Sequence, residues 1–148
     1  MNIPIESQAL DALFLQARTH NAWFDKPVDD ALLHRIWDLA RMGPTSANCS
    51  PMRVVFVKSP EAKARLLPAL MEGNRAKVLT APVTAIFGND SQFFELLPKL
   101  FPHTDARAWF AGPEKEGVAA ATAFRNGTLQ AAYYMLAARA LGLDRGPM

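Results

Sequence analysis

At 148 residues the chain has the length of one domain and is large enough to bury a real core. Its 50% hydrophobic and 20% charged composition is ordinary for a globular protein, and a net charge of +2 from scattered basic residues gives no electrostatic footprint for nucleic acid. No apolar run reaches the roughly 18 residues of a membrane span, Met1–Glu6 lacks the basic and apolar regions of a signal segment, and the single cysteine, Cys49, excludes an internal disulfide framework, so a cytoplasmic location is expected.

Residues 5–18 predict a helix, because Leu10, Leu13, Phe14 and Ala17 recur at helical spacing as one apolar stripe. Arg18 and His20 then sit near its C-terminal end, where cations favour the macrodipole. Asn21–Pro27 reads as a loop carrying Trp23 and Phe24. Asp29 or Asp30 caps a second helix over residues 30–42. Leu32, Leu33, Ile36, Leu39 and Ala40 form its buried face, and His34, Arg35, Asp38 and Arg41 its wet one.

That helix leads into Gly43-Pro44-Thr45-Ser46-Ala47-Asn48-Cys49-Ser50-Pro51, the most distinctive stretch of the chain. Gly43 is suited to closing a helix, and Pro44 does not continue one. Thr45, Ser46, Asn48 and Ser50 place short donors and acceptors on a stiff loop. They serve either a polar ligand or the loop's own backbone. Cys49 reads as inert core or as a nucleophile.

Val54–Val57 is apolar and β-branched, as expected of a strand covered on both faces. Ser59-Pro60-Glu61 opens a third helix with cap, N1 proline and early acid in the favoured places. Pro68 disturbs it and Gly73-Asn74 breaks it. Lys77 shares a face with Asn74 if a helical turn resumes there. Pro82–Phe87 reads as a second buried strand. Residues 91–115 are irregular and aromatic, with Phe93, Phe94, Phe101, Trp109 and Phe110 forming either core or a substrate lid. His103 and Arg107 are its polar members, which otherwise join a surface ion-pair network with Asp105. Glu116–Leu141 is the longest helix, made slim by its alanines and expected to be central and buried. The histidines and Cys49 show no metal-ligand spacing, and neither a Ser-His-Asp arrangement nor Gly-x-Gly-x-x-Gly occurs.

Four segments in order carry a resemblance to the FMN-dependent nitroreductase family. Pro44-Thr45-Ser46-Ala47-Asn48-Cys49-Ser50-Pro51 resembles the family's Pro-Ser-Ser-x-Asn-x-x-Pro segment. Arg18-Thr19-His20 resembles its phosphate-binding Arg-x-Ser/His. Asn74-Arg75-Ala76-Lys77, followed by Ala81–Ile86, resembles its flavin-contacting Asn-x-x-Lys before a core strand. Ala140–Met148 is similar to the segment that ends its long central helix. Within the family, Arg18–Trp23, the Pro44 loop and Phe101–Phe110 are most similar to the malonic semialdehyde reductases of pyrimidine utilisation.

The resemblance implies an α+β, nitroreductase-like three-layer fold with a central sheet flanked by helices. It implies a single domain over 1–148 and a homodimer with FMN at the interface, with no nucleic acid, membrane or metal involved. The implied activity is hydride transfer from NADH or NADPH through FMN to a small electrophile. A short aldehyde acid such as malonic semialdehyde, reduced to 3-hydroxypropionate, is the first candidate. The alternatives are a broad nitro and quinone reductase, or a truncated flavin-binding or flavin-free dimer without activity. Implied cofactor contacts are Arg18, Thr19, His20, Pro44, Thr45, Ser46, Asn48, Asn74, Lys77, Pro147 and Met148. Lys77 would stabilise the charge of the reduced flavin, the more so because Ala22 stands where the family often has a second lysine. No side chain is assigned as acid or base. His103, Arg107 and Trp109 are substrate candidates, Arg107 being suited to a carboxylate. The family continues past this chain's end through a flavin-contacting turn, another core strand and a basic segment, so a C-terminally incomplete version of the fold is expected.

Overall fold

Helical periodicity and two β-branched runs produce, in the computed structural model, which describes residues 3–148, an α+β arrangement of six α-helices and two strands among the described residues. The helices are α1 (Ser7–Leu10), α2 (Asp30–Ala40), α3 (Pro60–Leu66), α4 (Glu72–Thr80), α5 (Leu97–Leu100) and α6 (Glu116–Ala140); the strands are β1 (Met52–Val57) and β2 (Thr84–Asn89). β1 and β2 pair as a two-stranded sheet. The Asp90 N–H, just past the end of β2, donates to the Pro51 carbonyl, just before the start of β1, so the strands run antiparallel.

The chain folds into two compact units. The first holds residues up to Trp37, Phe56–Ala85 and Met135–Met148, and the second holds Asp38–Val55 and Ile86–Tyr134. In the first unit Val28, Leu33, Ile36, Val57, Val78, Ala81, Ala137 and Ala138 are buried. Ser59 caps α3 by accepting from the Ala62 N–H at 3.2 Å, with Pro60 at the first helical position. The 3₁₀ turn Leu67–Ala69 realises the disturbance at Pro68. Lys63 is buried, and its ammonium donates to the carbonyls of Leu79 and Ala81. Leu79 is in the last turn of α4 and Ala81 is its C-cap, where the helix itself leaves carbonyls unsatisfied.

Several expectations change in this unit. The first helix is shorter than residues 5–18, comprising α1 and a π turn over Asp11–Leu15. Arg18 and His20 therefore lie beyond the helix end, and the macrodipole does not account for them. Leu10 and Phe14 are exposed rather than packed. Gly73 and Asn74 lie inside the first turns of α4. The chain breaks earlier, where Leu70 and Met71 take extended conformations. Lys77 shares a turn with Asn74 for that reason.

The core of the second unit is an aromatic cluster. Phe93 meets Phe110 edge-on at 5.0 Å and Phe94 at 5.8 Å, packed with Cys49, Leu97, Ala106, Ala119 and Ala123. Cys49 is fully buried and burial raises its thiol pKa, so it is core and not a nucleophile. Only one face of α6 is buried here, with Val118, Phe124 and Leu129 on the exposed side. β1 is likewise not covered on both faces, since Val55 is 59% exposed. A two-stranded ribbon has too little sheet to be buried on both sides.

Gly43 leaves α2 in this unit at a close approach, where a Cβ would overlap the Tyr133 ring. That ring is held, because the Tyr133 hydroxyl donates to the Pro44 carbonyl at 3.0 Å. Gly43→Ala is expected to lower stability by about 1–3 kcal/mol through overpacking. Urea unfolding should show an earlier midpoint at unchanged slope; a wild-type midpoint would mean that the ring swings aside freely.

Candidate functional site

In the first unit, residues from three distant segments meet. After the π turn the chain is extended, and Thr19 pairs with Arg145 in a parallel bridge. The His20 N–H donates to the Arg145 carbonyl at 2.9 Å, and the His20 ring lies 3.5 Å from the Asp144 carboxylate. Gly146 must be glycine here, since a Cβ would run into the His20 carbonyl and lie 3.0 Å from the Trp23 ring. The Trp23 indole N–H donates to the Lys77 carbonyl at 3.0 Å. The Lys77 ammonium in turn donates to the Asn74 side-chain oxygen at 3.2 Å, an i,i+3 pair on α4. Trp23 and Gly146 thus join the Arg18–His20 segment, the Asn74–Lys77 pair and the Asp144–Met148 tail.

The electrostatics of this cluster are positive. Arg18 is exposed, His20 and Lys77 are half-buried, and Arg139 donates to the Leu13 carbonyl at 2.7 Å. Two guanidinium nitrogens of Arg145, Nε and Nη2, are buried without a hydrogen-bond partner among the described residues. Burial first, and the Arg139 charge second, bring its pKa down to about 10, with Asp144 acting in the opposite sense. The group still carries its charge at neutral pH. Buried donors without an acceptor cost about 1–3 kcal/mol, more when charged, and an oxyanion such as a phosphate would relieve that. Pro147 and Met148 are exposed at the end of this segment.

The Pro44 loop belongs to the second unit. Ser46–Asn48 forms a 3₁₀ turn, and Ala47, Asn48 and Ser50 have φ of 49°, 51° and 40°, left-handed values that non-glycine residues rarely adopt. Each costs roughly 1–2 kcal/mol, which the rest of the structure must offset. Thr45 supplies part of that by accepting the Ser50 N–H on its hydroxyl at 3.1 Å and the Asn48 N–H on its carbonyl at 3.0 Å. The Asn48 amide donates to the Leu100 carbonyl at 2.9 Å. Pro44, Ser46 and Asn48 remain exposed, so the loop presents neutral polar groups on a rigid frame.

The substrate candidates lie in the same unit. His103 and Trp109 are exposed and flank Phe101, with ring separations of 5.2 Å and 6.1 Å. Arg107 makes a bidentate pair with Glu95 at 2.7 and 2.8 Å, which holds the Glu95 carboxyl below its usual range. Asp105 instead caps the turn after it by accepting the Ala108 N–H, so the ion pair runs to Glu95 and not to Asp105. Sequence reasoning gave no site role to Arg145, Trp23 or the buried amides Asn126 and Gln130. For the last two the available signal was an amide pair four residues apart within an alanine-rich helix.

A cavity of about 410 Å³ lined by Asp30, Leu33, His34, Phe56, Lys58, Ser59 and Ala62 lies in the first unit. It contains none of the candidate residues, and the Lys58 ammonium there is bonded to Asp30 and to the Val28 carbonyl at 2.7 Å each. Among the described residues no group of His, Cys, Asp and Glu is placed to hold a metal, and no helix is long and apolar enough to cross a membrane.

Comparison with known proteins follows the same lines. The family model described as the nitroreductase family matches residues 15–148. A Burkholderia lata protein named as an NADH dehydrogenase/NAD(P)H nitroreductase is 68% identical over 144 residues, covering 97% of this chain and 73% of its own. A Stenotrophomonas maltophilia protein of the same name is 60% identical over 148 residues, covering 100% of this chain and 74% of its own. Among solved structures, a Bacillus subtilis protein named as a nitroreductase superposes with a TM-score of 0.84 at 20% identity, over 97% of this chain and 76% of that one. An Exiguobacterium sibiricum protein, named likewise and solved in complex with FMN, gives 0.77 at 18% identity, over 100% of this chain and 76% of that one. At these identities the structural likeness speaks for the fold.

Proposed function

Because this chain belongs to the nitroreductase family, we propose that it is an FMN-dependent oxidoreductase that takes hydride from NAD(P)H and delivers it to a small electrophile. When bound, FMN supplies the hydride chemistry. The protein's own residues bind and orient. Arg18 and His20 hold the phosphate, with Arg145 adding positive charge behind them. Lys77, steadied by Asn74 and by the Trp23 grip on its carbonyl, brings a cation to the ring. Pro44, Thr45, Ser46 and Asn48 face the ring of the partner copy's cofactor. Thr19, Pro147 and Met148 line the same edge as Arg18 and His20. One pocket serving donor and acceptor in turn gives ping-pong kinetics.

The observation that carries this reading is the convergence of Arg18–His20, Arg145 and Asn74–Lys77 through Trp23 and Gly146, with buried guanidinium nitrogens awaiting an anion. A homodimer is part of it. Leu10 and Phe14 in one unit, and Val118, Phe124 and Leu129 in the other, leave apolar surface exposed that a second copy would remove from water.

The test is direct. Purified protein saturated with FMN should carry bound flavin, run as a dimer and oxidise NAD(P)H. Colourless monomer with no uptake at millimolar FMN would sink the proposal, and uptake without NAD(P)H oxidation would reduce the protein to a binder. For the acceptor, the sequence likeness of Phe101–Phe110 supports a short aldehyde acid. The Arg107–Glu95 pair favours the second reading, a broader nitro and quinone reductase, because the residue suited to a substrate carboxylate already holds one. Comparing kcat/KM for malonic semialdehyde with that for a nitroarene and a quinone separates the two.

A further inference from the structure

We infer that Asn126, Gln130 and Tyr133 of α6 are positioning residues that set the shape of the Pro44 loop. Their spacing, i, i+4 and i+7, puts all three on one face of the helix. Gln130 is 1% exposed and Asn126 8%, and primary amides are buried only when their hydrogen bonds are met. Each of the three makes a bond to the backbone of one segment, residues 44–52. The Asn126 side-chain oxygen accepts the Ser46 N–H at 2.9 Å, the Gln130 side-chain oxygen accepts the Met52 N–H at 2.9 Å, and the Tyr133 hydroxyl donates to the Pro44 carbonyl at 3.0 Å. The orientation of Asn126 is itself fixed, because its NH₂ donates to the Thr122 carbonyl at 2.9 Å one helical turn back. Turned over, the amide would set NH₂ against N–H at Ser46.

These anchors bracket the strained residues. Ser46 and Met52 stand on either side of Ala47, Asn48 and Ser50, the non-glycine residues with positive φ among those described. Such conformations persist only where the surroundings leave no relaxed alternative. Thr45 braces the loop from within, and α6 pins both of its ends. The amides thereby decide which way the exposed Ser46 and Asn48 present themselves, although neither amide needs to touch a ligand. For cofactor binding this rests on the function proposed above; for loop geometry it does not.

Gln130→Met keeps the volume and removes the acceptor, and Gln130→Glu restores an acceptor oxygen. In the flavin-free protein, amides from Ala47 to Met52 should exchange at least tenfold faster in Gln130→Met, while amides of the Phe93–Phe110 cluster keep their rates. Where the wild type binds flavin, affinity for FMN and for riboflavin should fall together, at least tenfold, and Gln130→Glu should recover both. A filler role would leave Gln130→Met like wild type in loop exchange and in flavin affinity, and that result overturns the inference. If Gln130→Met does not fold, Tyr133→Phe removes the Pro44 anchor alone, and unchanged exchange through Pro44–Met52 in that variant would overturn it equally. A wild type without flavin uptake refutes the function and leaves loop exchange to decide the positioning.

Discussion

Arg18→Lys is expected to weaken FMN binding by about 1.5–3 kcal/mol, roughly 10- to 150-fold, while leaving riboflavin affinity nearly unchanged. Arginine offers a planar fork that meets a phosphate with two parallel bonds, and lysine offers one compact charge on a flexible stem. The structure gives this contrast a clear background. Arg18 lies on an extended, exposed segment whose backbone is fixed by the Thr19–Arg145 bridge and the His20–Arg145 hydrogen bond. Its guanidinium makes no ion pair among the described residues. Exchanging it for lysine therefore removes no bond from the fold. Isothermal titration with FMN and with riboflavin reads the difference. Equal losses for the two ligands would assign Arg18 to packing and not to the phosphate.

Lys77→Met should lower the two-electron potential of bound flavin by about 20–45 mV and slow its reduction by NAD(P)H, with oxidised-FMN affinity changed far less. Reduction leaves negative charge on the pyrimidine side of the ring, and a fixed cation there favours the reduced form. At 4 Å and an effective dielectric of about 20 the Coulomb energy is roughly 4 kcal/mol before screening. Lys77 is half-buried, so a net effect of about 1–2 kcal/mol is the appropriate scale, and this converts to the stated shift. Methionine preserves the stem, and the Trp23 bond is made to the Lys77 backbone carbonyl, so α4 keeps its place in the variant. Asn74 loses only the ammonium it accepts from. Redox titration of both proteins, fully loaded, decides the matter. A potential identical to wild type would remove Lys77 from the ring.

These expectations were reachable from the sequence because the residues concerned sit in short, recognisable segments. What the segments meant locally was less secure. Gly73-Asn74 reads as a helix end, yet it lies within α4, because Leu70 and Met71 had already broken the chain. Arg18 and His20 read as helix-terminal cations, yet the helix stops at Leu15 and the pair belongs to an extended strand-like piece. In both cases a propensity argument located the change of structure within a few residues and missed its place, as local energies of a few tenths of a kcal/mol do when tertiary contacts compete. Arg107 was legible as a carboxylate binder, but its carboxylate turned out to be Glu95, twelve residues away.

By itself the sequence determined what short-range physics controls. The periodicity of α2, the alanine-rich run of α6, the Ser59-Pro60 start of α3, the placement of two strands, and the i,i+3 pairing of Asn74 with Lys77 all follow from interactions within one or two turns. Only the tertiary structure decided which segments meet. Trp23 finds Lys77 across 54 residues, Gln130 finds Met52 across 78, and Asn126 finds Ser46 across 80. No spacing rule encodes such pairs. A buried amide or indole must find some partner, but which backbone group it finds depends on how the helices pack, and packing depends on the whole chain at once. Tertiary structure likewise buried two guanidinium nitrogens of Arg145, Nε and Nη2, without a hydrogen-bond partner among the described residues, on the segment that pairs with Thr19.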